Sequence, residues 1–302
     1  MRMRHLAAAG AVAWLGLVVV VAAVSDVDIP VAVLLGALGL LAVASLVVGL
    51  TACRTLARQR TVSTPTRRPA PGAPAVTAAG VERVVTKVVT RELRRTFRQV
   101  EALQNLYAML PIEHALPASR GFPASPDLLL FLADLVDRHR PRVVVECGSG
   151  LSTLCLGLAL RRFGVDGRVV ALEHLEQYAE QTDDLLRRHG LADVAEVRLA
   201  PLQELAFGDE KIPWYPATAW SDLAGIGLLL VDGPPADLHP LARYPALPSF
   251  LDRLAPGGRI VLDDYARPSE RAILDRWVAE HPGRLDVRPV PLEKGAALVT
   301  LT

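Results

Sequence analysis

The stretch VVVECGSGLST (residues 143–153) decides the fold of this chain. Its valines read as a buried strand, Gly148 and Gly150 open a tight turn, and Leu151 starts a helical pattern. Glycines at a strand-to-helix turn let the backbone bend sharply and approach a ligand closely. A dinucleotide fingerprint needs a third glycine, and Thr153 stands in its place. Glu146, two residues before the first glycine, suits a ligand with cationic or polar groups, whereas a pyrophosphate would favour its absence.

Outward from this turn, apolar runs recur at 142–147, 168–173, 195–200, 226–232 and 259–263, most of them separated by helical stretches. Near-continuous Val/Ile/Leu runs alternating with helices predict a parallel sheet covered on both faces. The last two runs, LDVRPV and AALVTL, are joined by PLEKG, short enough for an antiparallel hairpin. The expectation for residues 115–302 is an α/β domain. It is Rossmann-like, with a seven-stranded mostly parallel sheet, one antiparallel strand and helices on both faces.

Several of these runs end in acids. Glu173 closes VVALEHLEQ, where a carboxylate can accept both ribose hydroxyls of a nucleoside, and His174 beside it can flank the adenine. Asp232 closes the strand of LLLVDGPPADLH, and Asp263 and Asp264 close that of RIVLDDYARP. In open α/β sheets, ligands bind outside the carboxyl ends of the strands. If the last two strands are neighbours, about 4.8 Å apart, the three carboxylates converge and suit a hard cation such as Mg²⁺. Successive strand side chains point to opposite faces, so Asp263 and Asp264 both face the site only if the strand bends there.

The amino-terminal third is different. Leu6 to Val24 and Ile29 to Cys53 contain no charged residue, and each is long enough to cross a bilayer as a helix. Separated only by SDVD, they predict a transmembrane hairpin over 1–53. The alternative is a cleaved signal peptide followed by a single span. Arg2 and Arg4 before the pair and Arg54, Arg58 and Arg60 after it place both ends, and the catalytic domain, in the cytoplasm. Residues 54–98 carry eleven Lys/Arg against Glu82 and Glu92, a net of +9, which attracts anionic lipid. Only Phe97 interleaves this run with an aromatic ring, which argues against nucleic acid as a partner. Residues 54–80 read as a basic, Pro/Ala-rich linker. From Val81 to Leu110 apolar residues recur every three or four, predicting an amphipathic helix within a segment 81–114. That helix is expected to pack through its carboxyl half and to offer residues 81–110 for a homodimer. Cysteines at 53, 147 and 155 form neither a metal-ligand spacing nor a disulfide framework.

Taken together, VECGSG, LEHLE, VDGPP and LAPGGRIVLDD resemble the class I S-adenosylmethionine-dependent methyltransferases, in particular the small-molecule O-methyltransferases of the methyltransferase-24 type. The resemblance spans about residues 115–302. It implies that Glu146, Gly148, Ser149 and Gly150 line the methionine part of S-adenosylmethionine, that Glu173 holds its ribose, and that Asp232, Asp263 and Asp264 bind Mg²⁺ as in the metal-dependent members. The catechol enzymes place a basic residue soon after the aspartate that here is Asp232. This chain has GPPADLH instead, which leaves His239 as the nearby general base beside Asp232. The resemblance and the expected anchor imply a small or lipid-linked acceptor bearing a hydroxyl. Its pocket is walled by LPASRGFPASPD (116–127) and KIPWYPATAW (211–220), with Arg120 and Arg243 available to an acidic group or to surface acids. Two other readings are a nicotinamide-dependent oxidoreductase on a similar sheet and a catalytically degenerate membrane-bound scaffold.

Overall fold

A computed structural model describes residues 78–117 and 123–302. The apolar runs become strands: β1 (Val143–Cys147), β2 (Arg168–Glu173), β3 (Ala195–Leu199), β4 (Gln203–Phe207), β5 (Glu210–Trp214), β6 (Ile226–Val231), β7 (Leu254–Asp263), β8 (Leu285–Val290) and β9 (Ala296–Leu301). Seven of them form one sheet in the order β3-β2-β1-β6-β7-β9-β8, and only β9 runs against its neighbours. This is a Rossmann-like α/β fold. The chain moves from β1 outward to β3 and then returns to place β6 on the other side of β1. That reversal opens a crevice at the carboxyl ends of β1 and β6, where such sheets take ligands.

The alternation of strand side chains fills two cores. Val144, Val169, Leu228, Leu230 and Val261 point to one face, where α2 (Pro126–His139), α3 (Leu151–Arg162) and α4 (Glu176–Arg188) cover them. Val145, Val170, Leu229, Val231 and Leu262 point to the other, beneath α5 (Ala246–Phe250) and α6 (Pro268–Glu280). The helix expected from Val81 begins earlier, so α1 spans Ala78–Met109 and takes in the last residues of the expected linker. Its carboxyl half buries Ala102 and Leu106 against the first core, while Val84, Val85, Val88, Val89, Leu93 and Phe97 remain exposed.

One expectation needs correction. The segment 203–214 forms the β4–β5 hairpin, turning at Gly208 (φ 63°) and Asp209 and pairing Gln203 with Trp214. KIPWYPATAW is therefore no loop lining a pocket. Trp214 and Tyr215 are fully buried in the second core, and Trp220 packs on Phe250 with ring centroids 5.1 Å apart. The expected membrane hairpin at 1–53, the linker as far as residue 77, and Arg120 lie outside the described residues. Among the described residues, no helix is long and apolar enough to cross a membrane.

The two faces of α1 predict opposite sensitivities. Leu106→Ala, at a fully buried position, is expected to cost about 2–5 kcal/mol of stability. Leu93→Ala, at a position 66% exposed, should stay within about 0.5 kcal/mol. Urea unfolding of the two variants checks this; equal losses would mean that α1 is not docked by its carboxyl half.

Candidate active site

The site is built where three neighbouring strands end. Gly148 leaves β1 at φ +102°, a conformation that favours glycine, and its amide donates to Leu172 O of β2 at 2.9 Å. On the other side, Asp232 N donates to Cys147 O at 3.1 Å, so the end of β6 is tied to the end of β1. A Cβ on Gly148 would meet Gly233 N at 3.6 Å, which records how closely the two turns approach. Gly150, at φ +145°, has nothing within 4 Å of where a Cβ would stand, so the turn opens onto free space.

Glu146 does not line that space. It is buried, Thr153 Oγ1 donates to its Oε2 at 2.7 Å, and Ser152 Oγ donates to its Oε1. Thr153 in turn accepts the Gly150 amide at 2.9 Å. The residue that replaces the third glycine therefore caps α3 and binds it to β1. Burial pushes the Glu146 carboxyl up to about 8, against the pull of the two hydroxyls.

Glu173 is also buried. Its Oε1 accepts the amides of His174 (2.8 Å) and Leu175 (3.0 Å), and His174 Nδ1 lies 3.0 Å away. Ser149 Oγ donates to Oε2 at 3.0 Å and also lies 3.1 Å from Thr182 Oγ1. Burial raises the Glu173 carboxyl, but these donors more than offset it and hold the group below its ordinary value. The expected neighbours Gly148, Ser149, Gly150, Glu173 and His174 thus gather at the ends of β1 and β2.

The second half of the site is acidic. Val231 pairs with Leu262, so Asp232 and Asp263 stand side by side. Asp264 adopts φ +60°, which turns the chain out of β7 and lets both adjacent carboxylates reach one cluster. Ligand oxygens of Asp232, Asp263 and Asp264 all lie within 4.8 Å of one another. Arg243 lies among them and is 4% exposed. Its Nη2 donates to Asp232 O (2.6 Å), Asp232 Oδ1 (3.3 Å) and Asp264 Oδ2 (3.1 Å), and its Nη1 to Asp263 O (3.2 Å). Arg267 Nη1 adds a contact to Asp264 Oδ2 at 2.9 Å, and buried Glu270 lies 3.8 and 3.7 Å from the two guanidinium groups.

A divalent cation does not fit this arrangement. Two of the three carboxylates already hold a guanidinium, and Mg²⁺ needs a near-octahedral set of free oxygens. Both oxygens of Asp263 are buried and unengaged among the described residues. Burial first, then the charges of Asp232 and Asp264, push its carboxyl up to about 8.

His239 does not suit the role of base. Its Nδ1 accepts the Leu241 amide at 3.0 Å, so the neutral ring carries its proton on Nε2 and has no free lone pair to offer. Asp232, with 21% of its side chain exposed, is the open carboxylate of the cluster. Burial raises it, and Arg243 opposes that rise. The role of Arg243 escaped the sequence reading, which offered it to substrate or surface acids. The signal available was the need of three clustered acids, two of them buried, for a counter-ion.

Residues 145–265, from β1 to just past β7, match a family model described as a methyltransferase domain. That stretch is similar to a methyltransferase domain, and every site residue named above except Glu270 and Arg267 lies inside it. None of the curated proteins compared with the chain matches it in sequence. Among solved structures, the SAH-bound methyltransferase PaMTH1 of Podospora anserina is 16% identical with a TM-score of 0.49, covering 76% of this chain and 99% of its own. The O-methyltransferase of Bacillus cereus in complex with SAH is 22% identical (TM-score 0.46; 68% and 90% covered). The O-methyltransferase TomG of Streptomyces achromogenes, solved with SAM, is 19% identical (TM-score 0.44; 68% and 89% covered).

The buried Glu146 predicts a pH effect. Its folded-state value lies above the unfolded 4.5, so its contribution to stability is full below pH 4.5 and is lost as pH rises through about 8. Glu146→Gln should remove a few kcal/mol of that slope. Urea midpoints of both proteins between pH 4.5 and 8.5 test it, and parallel pH curves would refute the assignment.

Proposed function

We propose that this chain is an S-adenosylmethionine-dependent methyltransferase that methylates a hydroxyl of a small or envelope-associated acceptor. The observation that carries this reading is the open glycine turn, Gly148–Gly150, flanked by Glu173 on one neighbouring strand and Asp232 on the other. The free space above Gly150 accommodates a ligand backbone, and Oε2 of Glu173, with one donor against three at Oε1, has room for a ribose hydroxyl. The start of α3 favours a ligand carboxylate. S-adenosylmethionine supplies an electrophilic methyl group on sulfur. Asp232 accepts the acceptor's hydroxyl proton as the C–O bond forms and the C–S bond breaks, the electron pair leaving with sulfur. Its carboxylate is a better base for being partly desolvated. Holding the two reactants in line at adjacent strand ends supplies the rest.

The nicotinamide reading is weakened by Thr153. Its hydroxyl is committed to Glu146 and Gly150, so the turn is a different structure from a pyrophosphate cradle. In the favoured reading, residues 1–53 anchor the domain to the membrane on the cytoplasmic side, and α1 offers its exposed apolar stripe for a homodimer. Supporting this are the two charge-free runs and the basic segment that follows them.

Calorimetry with S-adenosylhomocysteine and NAD on the purified full chain tests the function. Wild type and Asp232→Asn should bind S-adenosylhomocysteine alike, and Gly148→Arg should not. Transfer of labelled methyl groups to envelope extract should fall 10²–10⁴-fold in Asp232→Asn. Binding of NAD in place of S-adenosylhomocysteine would overturn the reading.

A further inference from the structure

We propose that Arg243 is the resident cation of the Asp232–Asp263–Asp264 cluster, holding the position that a divalent ion would take, and that it orients Asp232 for catalysis without metal. The methyltransferase reading above supplies what Asp232 does; what fills the cluster is argued from contacts alone.

The guanidinium gathers the kinds of oxygen that a hard cation gathers, two carboxylates and several main-chain carbonyls. Nε reaches Pro234 O at 3.4 Å, Nη1 reaches Asp263 O, and Nη2 bridges Asp232 and Asp264. One side chain thereby ties the turn after β6 to the end of β7. A planar fork with five donors makes such a set of contacts, and a lysine ammonium with three does not.

The position of Arg243 is fixed from outside the site. Trp277 Nε1 on α6 donates to Tyr244 O at 2.8 Å, and the Tyr244 hydroxyl donates to Glu280 at 2.8 Å. The residue after Arg243 is thus pinned to the second core, so an incoming ion would have to break packed structure to displace the guanidinium.

Positive charge already faces the cluster. The carboxylates of Asp232, Asp264 and Glu270 face the guanidinium groups of Arg243 and Arg267 and the more distant ammonium of Lys294. A doubly charged ion added to this set would meet like charge at the distances where Arg243 now stands.

Arg243 is then a positioning residue. It takes both the main-chain and the side-chain oxygen of Asp232, leaving the exposed part of that carboxylate to the acceptor.

The test is titration of the purified full chain, without cofactor, with Mn²⁺ followed by electron paramagnetic resonance and with Mg²⁺ by calorimetry. Wild type is expected to take up no stoichiometric ion below millimolar concentration. Arg243→Met, with its fold checked by circular dichroism, is expected to gain one Mn²⁺ per chain, at least tenfold tighter than wild type. Arg243→Lys keeps the charge and loses the fork. It should stay free of metal, bind S-adenosylhomocysteine as wild type does, and lose at least tenfold in kcat with KM for S-adenosylmethionine unchanged. One Mn²⁺ bound by wild type and lost in Asp263→Asn would overturn the proposal, and so would a folded Arg243→Met that takes up none. The wild-type titration decides even if Arg243→Met fails to fold. Absence of S-adenosylhomocysteine binding would instead strike the methyltransferase reading and leave the metal result standing.

Discussion

Charge buried at the carboxyl ends of β1, β2, β6 and β7 is the constraint on which the rest of this structure depends. A parallel sheet covered on both faces has little water at its strand ends, and an isolated carboxylate there costs several kcal/mol. Four of these acids meet that cost with local partners. Glu146 is held by two hydroxyls from the first turn of α3, Glu173 by two amides from the chain just beyond it, and Asp232 and Asp264 by Arg243. These solutions also position the turns: α3 is drawn onto β1, the loop after β2 curls back over Glu173, and β6 and β7 end in register. The crevice keeps its shape because the charges around it are answered locally.

Glycine placement follows from the same geometry. With Asp232 N bonded to Cys147 O, the turn after β6 lies against the turn after β1, and Gly148 and Gly233 are the residues that meet. A Cβ on Gly233 would come within 2.7 Å of the Tyr215 hydroxyl and 3.2 Å of Cys147 O. Tyr215 therefore belongs to the floor of the site, buried and with its hydroxyl unpaired among the described residues. Its aromatic bulk supports the crossing point from below, which explains why an aromatic, proline-rich stretch that reads as pocket wall is core.

The sheet was legible because its signal is local. Val/Ile/Leu runs at 142–147 and 226–232 need only their own residues to be read as buried strands, and the short PLEKG connection gave away the reversed strand. The β4–β5 hairpin was not legible. Pro213 and the charged Glu210 and Lys211 mask the alternation that buries Ile212 and Trp214. At the site, strand ends could be read as a gathering place for acids, because their register follows from the strands. What each acid touches could not. Glu146 looks ligand-facing until α3 is seen to bring Ser152 and Thr153 onto it. Likewise Asp263 and Asp264 look incompatible until the left-handed φ of Asp264 turns the chain. Arg243 is the extreme case: it lies eleven residues past Asp232 in sequence, and only the return of the chain to α5 carries it into the cluster.

A guanidinium and a metal ion solve the same electrostatic problem with different consequences for specificity. A hard cation with open coordination positions binds acceptor oxygens directly and favours substrates that offer two of them. A buried Arg243 has its donors directed at Asp232, Asp263, Asp264 and Pro234, so it holds the protein and leaves recognition of the acceptor to other groups. With the cation committed inward, the exposed part of Asp232 is the polar feature left facing the crevice from the β6 side. In the reaction proposed above, a single hydroxyl presented to one carboxylate would be sufficient, and a pair of adjacent oxygens would give no advantage. The proposal therefore favours acceptors whose shape, more than a chelating group, brings one hydroxyl to the end of β6.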